Sequence, residues 1–386
     1  MMARLFLILF SLSMGLSQAF AAPMCSDIFS DDSAISPRGF QKFYVPNSDR
    51  VMIYDYKKAS PGKDTLVLIH GLGDDMTKLR AVAQLADQDG LGVLLMDLNG
   101  HGRTLHEYLA HHDNTLPDHM DYQDNVNDVT LLIQSLLLTK ISLLGHSYGG
   151  GIAFGVAAKL QASGSPIQIR SLHMVAPYVQ RIDKFLSDYF QSPQYLINQT
   201  AKAWEKAGVP PALSENIFDI FFQWTWTITS QMRLFKDGLQ RALHLDYNKD
   251  LLMDPFVEKF MRKNYRKYFV AVSKKRESEL STQESDEIDI KVEAAIKITK
   301  GIRGFDLLDE TTSLPSSMPP LQIIGGKEDQ LVLPVQLKNF DRRLQQEGIG
   351  HKLVFISGKK SHHLFPQTMP DQLYQQVRNF RSQQQP

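Results

Sequence analysis

Cysteine is nearly missing from this chain: Cys25 is the only one among 386 residues. No intramolecular disulfide can form, so stability must come from a conventional core, and a cysteine-based zinc site is excluded. Net charge is missing as well. Lys+Arg and Asp+Glu stand at 42 each, which leaves no global attraction to nucleic acid or to an anionic membrane. There is no H-E-x-x-H pattern for a metalloprotease. Beyond the leader, no stretch is long and apolar enough to span a bilayer. Internal repeats are absent, and low complexity is confined to Gln383–Gln385.

The first residues are not part of the fold. Arg4 precedes an apolar run, Leu5–Leu16, and Ala19-Phe20-Ala21 supplies a small-x-small cleavage site. Residues 1–21 read as a signal peptide, with the mature chain starting near Ala22. The expectation is an exported protein, periplasmic or secreted, with no integral membrane segment after cleavage.

What remains is ordinary globular material, 43% apolar and 22% charged, long enough for a large core with an inserted subdomain. Phe40–Val45 and Arg50–Tyr56 read as strands around the turn Pro46-Asn47-Ser48-Asp49. Continuous apolar runs of the buried-strand type follow at Thr65–Ile69, Gly92–Met96, Ile141–Leu144, Ile169–Val175, Leu321–Ile324 and Lys352–Ile356. Helical periodicity lies between several of them. Tyr122, Val126, Val129, Ile133 and Leu136 mark one helix face. Gly150–Leu160 and Asp371–Phe380 are two further helices, with Pro370 suited to a first helical position. Strand–helix alternation of this kind predicts an α/β fold with a mostly parallel sheet and helices on both faces.

The alternation stops between Tyr178 and Ser317. Residues 38–178 and 318–384 are therefore assigned to the core, and 179–317 to a helical insert. The insert holds all three tryptophans, Trp204, Trp224 and Trp226, and the cluster Phe218, Phe221, Phe222. These rings suit the insert's own core. Trp224, Trp226 and Phe222 are also the candidates for an apolar substrate channel. The charged run Lys274–Glu293 reads as a solvated helix or loop.

Four pieces carry chemistry. Gly145-His146-Ser147-Tyr148-Gly149 follows a strand and opens a helix, the setting in which a tight turn exposes a serine as nucleophile. His70-Gly71-Leu72-Gly73 follows the strand ending at Ile69. Asp329 lies just past the strand ending at Ile324. His362-His363 follows the strand ending at Ile356. The order serine, acid, histidine is specific, whereas the pentapeptide alone is a weak signal.

With those residues in place, the chain resembles the α/β-hydrolase superfamily, as a cap-bearing serine hydrolase of the esterase/lipase kind. The matching segments are His70-Gly71, Asp97-Leu98-Asn99-Gly100-His101-Gly102-Arg103, Gly145–Gly149, Gly326-Lys327-Glu328-Asp329, and His363 with Pro370 seven residues on. The resemblance covers about Phe40–Phe380 apart from the insert, which corresponds only in position to a cap. It implies an eight-stranded-type sheet with the cap between strands 6 and 7.

Ser147 is then the nucleophile and Asp329 the acid that orients the base, with Glu328 as surface charge. The base is His363, which has the family spacing to the last helix, or its neighbour His362. The oxyanion hole is formed by the backbone N–H groups of Leu72 and Tyr148. Asp97 and His70 are read as loop-shaping. The histidine-rich stretch His101, His106, His111, His112 and His119 is read as an exposed loop leading into a helix, without a metal.

The implied reaction is hydrolysis of a carboxylic ester or thioester, of a small-molecule or lipid-like substrate, through an acyl-enzyme. No cofactor is expected. The same triad also serves peptidases that release N-terminal proline, C–C hydrolases and acyltransferases. Aspartate-dependent epoxide or haloalkane chemistry is disfavoured by serine at 147. From a different class, a non-catalytic binding protein of this fold has no need of all three triad residues.

Overall fold

A computed structural model describes residues 34–113, 115–118, 120–180, 255–273, 275–302, 305–309, 314–315, 317–329 and 331–384. The leader, Cys25, His119 and the aromatic residues Trp204, Phe218, Phe221, Phe222, Trp224 and Trp226 lie outside the described residues. The chain divides into two compact units, one from residues 182–292, the other from 25–181 with 293–386.

The larger unit is built on eight strands: β1 Gln41–Tyr44, β2 Val51–Lys57, β3 Thr65–Ile69, β4 Gly92–Met96, β5 Lys140–His146, β6 Gln168–Val175, β7 Leu321–Gly326 and β8 His351–Ile356. Their order in the sheet is β1-β2-β4-β3-β5-β6-β7-β8. Only β2 runs against its neighbours; every pairing from β4 to β8 is parallel. The central strands β3 and β4 are buried at every position, as strands covered on both faces must be. Their continuous apolar sequences, TLVLI and GVLLM, follow from that.

The connectivity fixes the position of the site. From β3 the chain steps outward to β4, then returns across β3 to form β5 on its other side. The loops leaving β3 and β5 therefore diverge at the carboxyl edge of adjacent strands, where parallel α/β sheets place their crevices.

The helices in chain order are α1 Arg80–Gln88, α2 Gly102–His111, α3 Tyr122–Ser135 and α4 Tyr148–Ala162, then α5 Pro255–Val272, α6 Thr282–Gly301, α7 Pro334–Gln346, α8 Phe365–Thr368 and α9 Pro370–Gln383. Asp121 caps α3, its carboxylate accepting the Asp124 N–H at 2.8 Å, which satisfies an otherwise unpaired donor of the first turn. The apolar face of α3 buries Val126, Val129, Leu132 and Ile133. Pro370 occupies the first position of α9, and the Tyr374 hydroxyl ties that helix to Asp89, beyond α1, at 2.9 Å.

One reading of the sequence is corrected. Residues 102–111 of the histidine-rich stretch form a helix, α2, rather than a loop. Thr104, Leu105, Tyr108 and Leu109 form its buried face, a helical spacing masked by the intervening histidines. Residues 293–386 are grouped with the sheet-bearing unit. The reason is apolar: Phe305 packs 4.3 Å from the Tyr122 ring and 5.9 Å from that of Tyr178, and Ile298 sits against Gly100. In the smaller unit, Arg266 of α5 pairs with Glu277 at 2.8 Å and with Asp289 of α6. The charged run thus contains a turn and the start of α6.

Candidate active site

β5 ends at His146 and α4 begins at Tyr148, so Ser147 alone makes the change from strand to helix. It does so at φ 53° and ψ −118°, a region that side-chain-bearing residues rarely enter. Three backbone hydrogen bonds hold it there. The Ser147 N–H donates to Val175 at 2.8 Å, and its carbonyl accepts from Gly150 and Tyr178, each at 2.9 Å. Within the turn only Ser147 is partly exposed, while His146, Tyr148 and Gly149 are buried.

The flanking glycines are steric necessities. A Cβ on Gly145 would lie 2.0 Å from the Gly149 carbonyl oxygen. One on Gly149 would lie 2.3 Å from the carbonyl oxygens of both Ile69 and His70. The start of α4 is thereby packed directly on the end of β3. The same closeness brings Gly71 to the serine: a Cβ there would be 3.2 Å from that of Ser147. The loop that carries Leu72 therefore runs beside the nucleophile turn. Within it, Asp74 N–H closes a turn on Gly71 at 3.3 Å, and Gly73 takes φ 75°.

His70 braces this loop. Its Nδ1–H donates to the Gly71 carbonyl at 2.8 Å, and its Nε2 accepts the Leu98 N–H at 3.0 Å. The ring is fully buried, and burial holds its pKa below the ordinary value. Asp97 performs similar work from the end of β4. One carboxylate oxygen accepts Met76 N–H and the other Arg103 N–H, both at 2.7 Å. Burial pushes this carboxyl up to about 7, against the lowering effect of those bonds.

On the other side of β5, Asp329 follows β7 and His363 follows β8. The Asp329 side chain is fully buried. Its Oδ1 accepts the N–H groups of Leu331 and Val332, each at 2.9 Å. Its Oδ2 lies 3.0 Å from His363 Nδ1. Burial opposes protonation of His363, but the charge and hydrogen bond of Asp329, helped by the charge of Asp74, raise its pKa overall.

His362 differs. Its Nδ1 accepts the Leu364 N–H at 3.3 Å, within its own loop. Burial, with the neighbouring His363 and Lys360, lowers its pKa despite Asp329. The acid thus engages one of the two adjacent histidines directly, and that one is His363.

Three further residues were not singled out in the sequence. His146 Nε2 donates to the His363 carbonyl at 3.0 Å, and the two rings lie 4.9 Å apart. Asp74 Oδ2 is 3.8 Å from His146 Nδ1. Asn125 joins the loop after β4 to the nucleophile helix: its Oδ1 accepts Asn99 N–H at 3.0 Å and its Nδ2 donates to the Tyr148 hydroxyl at 3.3 Å. His146 sits inside a recognised motif and Asp74 directly follows one, and that was the signal available. Nothing in sequence pattern pointed to Asn125.

The histidines of α2 do not converge. His101 is buried with Nδ1 on the Asn99 carbonyl at 3.1 Å. His111 bonds Glu107 at 3.1 Å. His112 stacks on Tyr108 at 3.8 Å. Among the described residues no group of three or more His, Cys, Asp or Glu side chains could hold a metal ion. No described helix is long and apolar enough to cross a membrane.

Comparison with known proteins gives the family of the chain. An esterase/lipase of Haemophilus influenzae is 36% identical over 93 residues, 24% of this chain and 29% of that one. The sn-1-specific diacylglycerol lipase ABHD11 of Xenopus tropicalis is 34% identical over 106 residues, 27% of this chain and 30% of that protein. The chain thus matches less than a third of the length of these curated relatives. Among solved structures, a thermophilic esterase from Thermogutta terrifontis superposes with TM-score 0.51 at 16% identity, covering 89% of this chain and 98% of that one. The α/β hydrolase MGS-M2, from a Medee basin deep-sea metagenome library, gives 0.52 at 16%, covering 88% and 96%. At such identities these likenesses show the fold. The model of the alpha/beta hydrolase fold family matches residues 64–367; the chain belongs to that family.

Proposed function

We propose that the protein is a serine hydrolase that cleaves a carboxylic ester or thioester through Ser147, His363 and Asp329. The observation that carries this reading is the 3.0 Å bond from His363 to a buried, doubly anchored Asp329. His363 is itself bonded, through its carbonyl, to the residue preceding Ser147. The esterase and lipase names of the partial relatives agree with it.

In the proposed cycle, His363 Nε2 takes the Ser147 hydroxyl proton as Oγ attacks the carbonyl carbon. The developing oxyanion is received by the N–H groups of Leu72 and Tyr148, each worth about 3 kcal/mol. Collapse expels the alcohol or thiol, which leaves with the proton from His363. Water, activated by the same imidazole, then releases the acid and restores the serine. Asp329 holds Nδ1–H in place and stabilises the imidazolium.

The substrate is proposed to be apolar on its acyl side. The leader at residues 1–21 makes export part of the proposal. Hydrolysis of p-nitrophenyl esters of graded length tests the reading. Turnover that rises with chain length and is abolished by Ser147→Ala supports it. Absence of turnover across the series, with no hydrolysis of a thioester, overturns it.

A further inference from the structure

We propose that Asp74 and His146 form a second carboxylate–imidazole pair, which positions His363 and pins the oxyanion loop to the nucleophile turn. The inference rests on the reading of Ser147, His363 and Asp329 as the hydrolytic machinery.

The hydrogen-bond sense is fixed by chemistry. A carbonyl only accepts, so the 3.0 Å contact of His146 Nε2 with the His363 carbonyl puts a proton on Nε2. The other ring nitrogen, Nδ1, faces the Asp74 carboxylate at 3.8 Å. The two side chains are 2% and 5% exposed, so neither contact is diluted by bulk water.

The pair also bridges two loops and a strand end that chemistry needs in register. Asp74 belongs to the loop after β3, which holds Leu72. His146 is the last residue of β5, next to Ser147. His363 is in the loop after β8. A Cβ on Gly71 would lie 3.3 Å from both Asp74 Oδ2 and His146 Nδ1 and 3.2 Å from the Ser147 Cβ. The backbone bearing the expected oxyanion donor is therefore packed between the pair and the nucleophile.

His363 is faced by Asp329 from the loop after β7, by His362 from its own loop, by His146 from β5 and by Asp74 from the loop after β3. His146 is faced by Asp74, His363 and His70. Asp74 is the second anion acting on His363, and it acts in the same direction as Asp329.

The test uses the full chain, p-nitrophenyl butyrate as substrate and a fluorophosphonate as probe of Ser147. Asp74→Asn removes the charge and keeps the shape. Loss of an anion lowers the pKa of His363, so the acidic limb of kcat/KM moves down by about 0.5 pH unit or more. At the plateau kcat falls about tenfold while KM changes little. Asp74→Glu restores the limb. His146→Gln keeps an amide donor for the His363 carbonyl and retains more activity than His146→Leu.

An unmoved limb and an unchanged plateau in a folded Asp74→Asn overturn the proposal. Should that variant fail to fold, equal losses in His146→Gln and His146→Leu overturn it instead. Failure of the unaltered protein to label at Ser147 is a different outcome: it removes the hydrolytic reading on which the pair depends.

Discussion

His363 Nδ1 lies 3.0 Å from Asp329 Oδ2, and the other oxygen of Asp329 is held by two backbone N–H groups at 2.9 Å. The carboxylate cannot swing away without losing both backbone bonds. Its buried position, between loops that leave two neighbouring parallel strands, gives the imidazole one orientation and one tautomer. From that relationship the expected behaviour of the site follows.

The base must be neutral to accept a proton. His363 has its pKa raised, since Asp329 and Asp74 together outweigh the opposing effect of burial. The acidic limb of kcat/KM is therefore expected above the ordinary histidine value of about 6.5. Asp329→Asn moves that limb down and lowers the plateau by about 10³–10⁴-fold. Stability carries the complementary sign. The contribution from His363 protonation is fully present below the unfolded histidine pKa and is lost as pH rises through the raised folded value. Rate–pH profiles and thermal midpoints across the same range check both statements.

Arg50 grips Asp128 with two bonds, Nε to Oδ2 at 2.9 Å and an Nη to Oδ1 at 2.8 Å. Asp128 is fully buried and Arg50 is 13% exposed. Arg50→Met removes both bonds from a buried carboxylate, and a loss of about 3 kcal/mol in urea unfolding is expected. Arg50→Met with Asp128→Leu recovers much of it, because apolar groups of similar size replace a desolvated pair.

Glycine at 149 is required by contact rather than by φ. Gly149→Ala drives a Cβ to 2.3 Å from two carbonyl oxygens of the β3 end. The helix must shift off the sheet, costing about 3 kcal/mol and displacing Tyr148 N–H, the proposed oxyanion donor. Gly350→Ala is the control: no atom lies within 4 Å of its Cβ, and a change within about 0.5 kcal/mol is expected. Calorimetry of the two variants separates them.

The central sheet and its order of motifs were legible because they are written locally. TLVLI and GVLLM announce doubly covered strands, and Gly145 and Gly149 announce close backbone contact. Between His362 and His363 the sequence offered only the family spacing to Pro370, which favours His363; which ring faces Asp329 depends on how the loop turns after β8, a matter of one residue in a segment without periodicity. Helix α2 was hidden because exposed histidines interrupt its apolar spacing. Asn125 was invisible for another reason: a polar residue on a helix face declares nothing until the fold shows what lies opposite. The pairing of Asp74 with His146 joins residues far apart in sequence across a crossing of strands, which no local pattern records.

The most direct test is the site of covalent labelling by a fluorophosphonate in the intact protein, mapped by peptide mass spectrometry. Labelling at Ser147 that vanishes in Ser147→Ala, and slows sharply in His363→Ala but much less in His362→Ala, is the predicted result. Labelling elsewhere, or undiminished labelling of Ser147→Ala, contradicts the account.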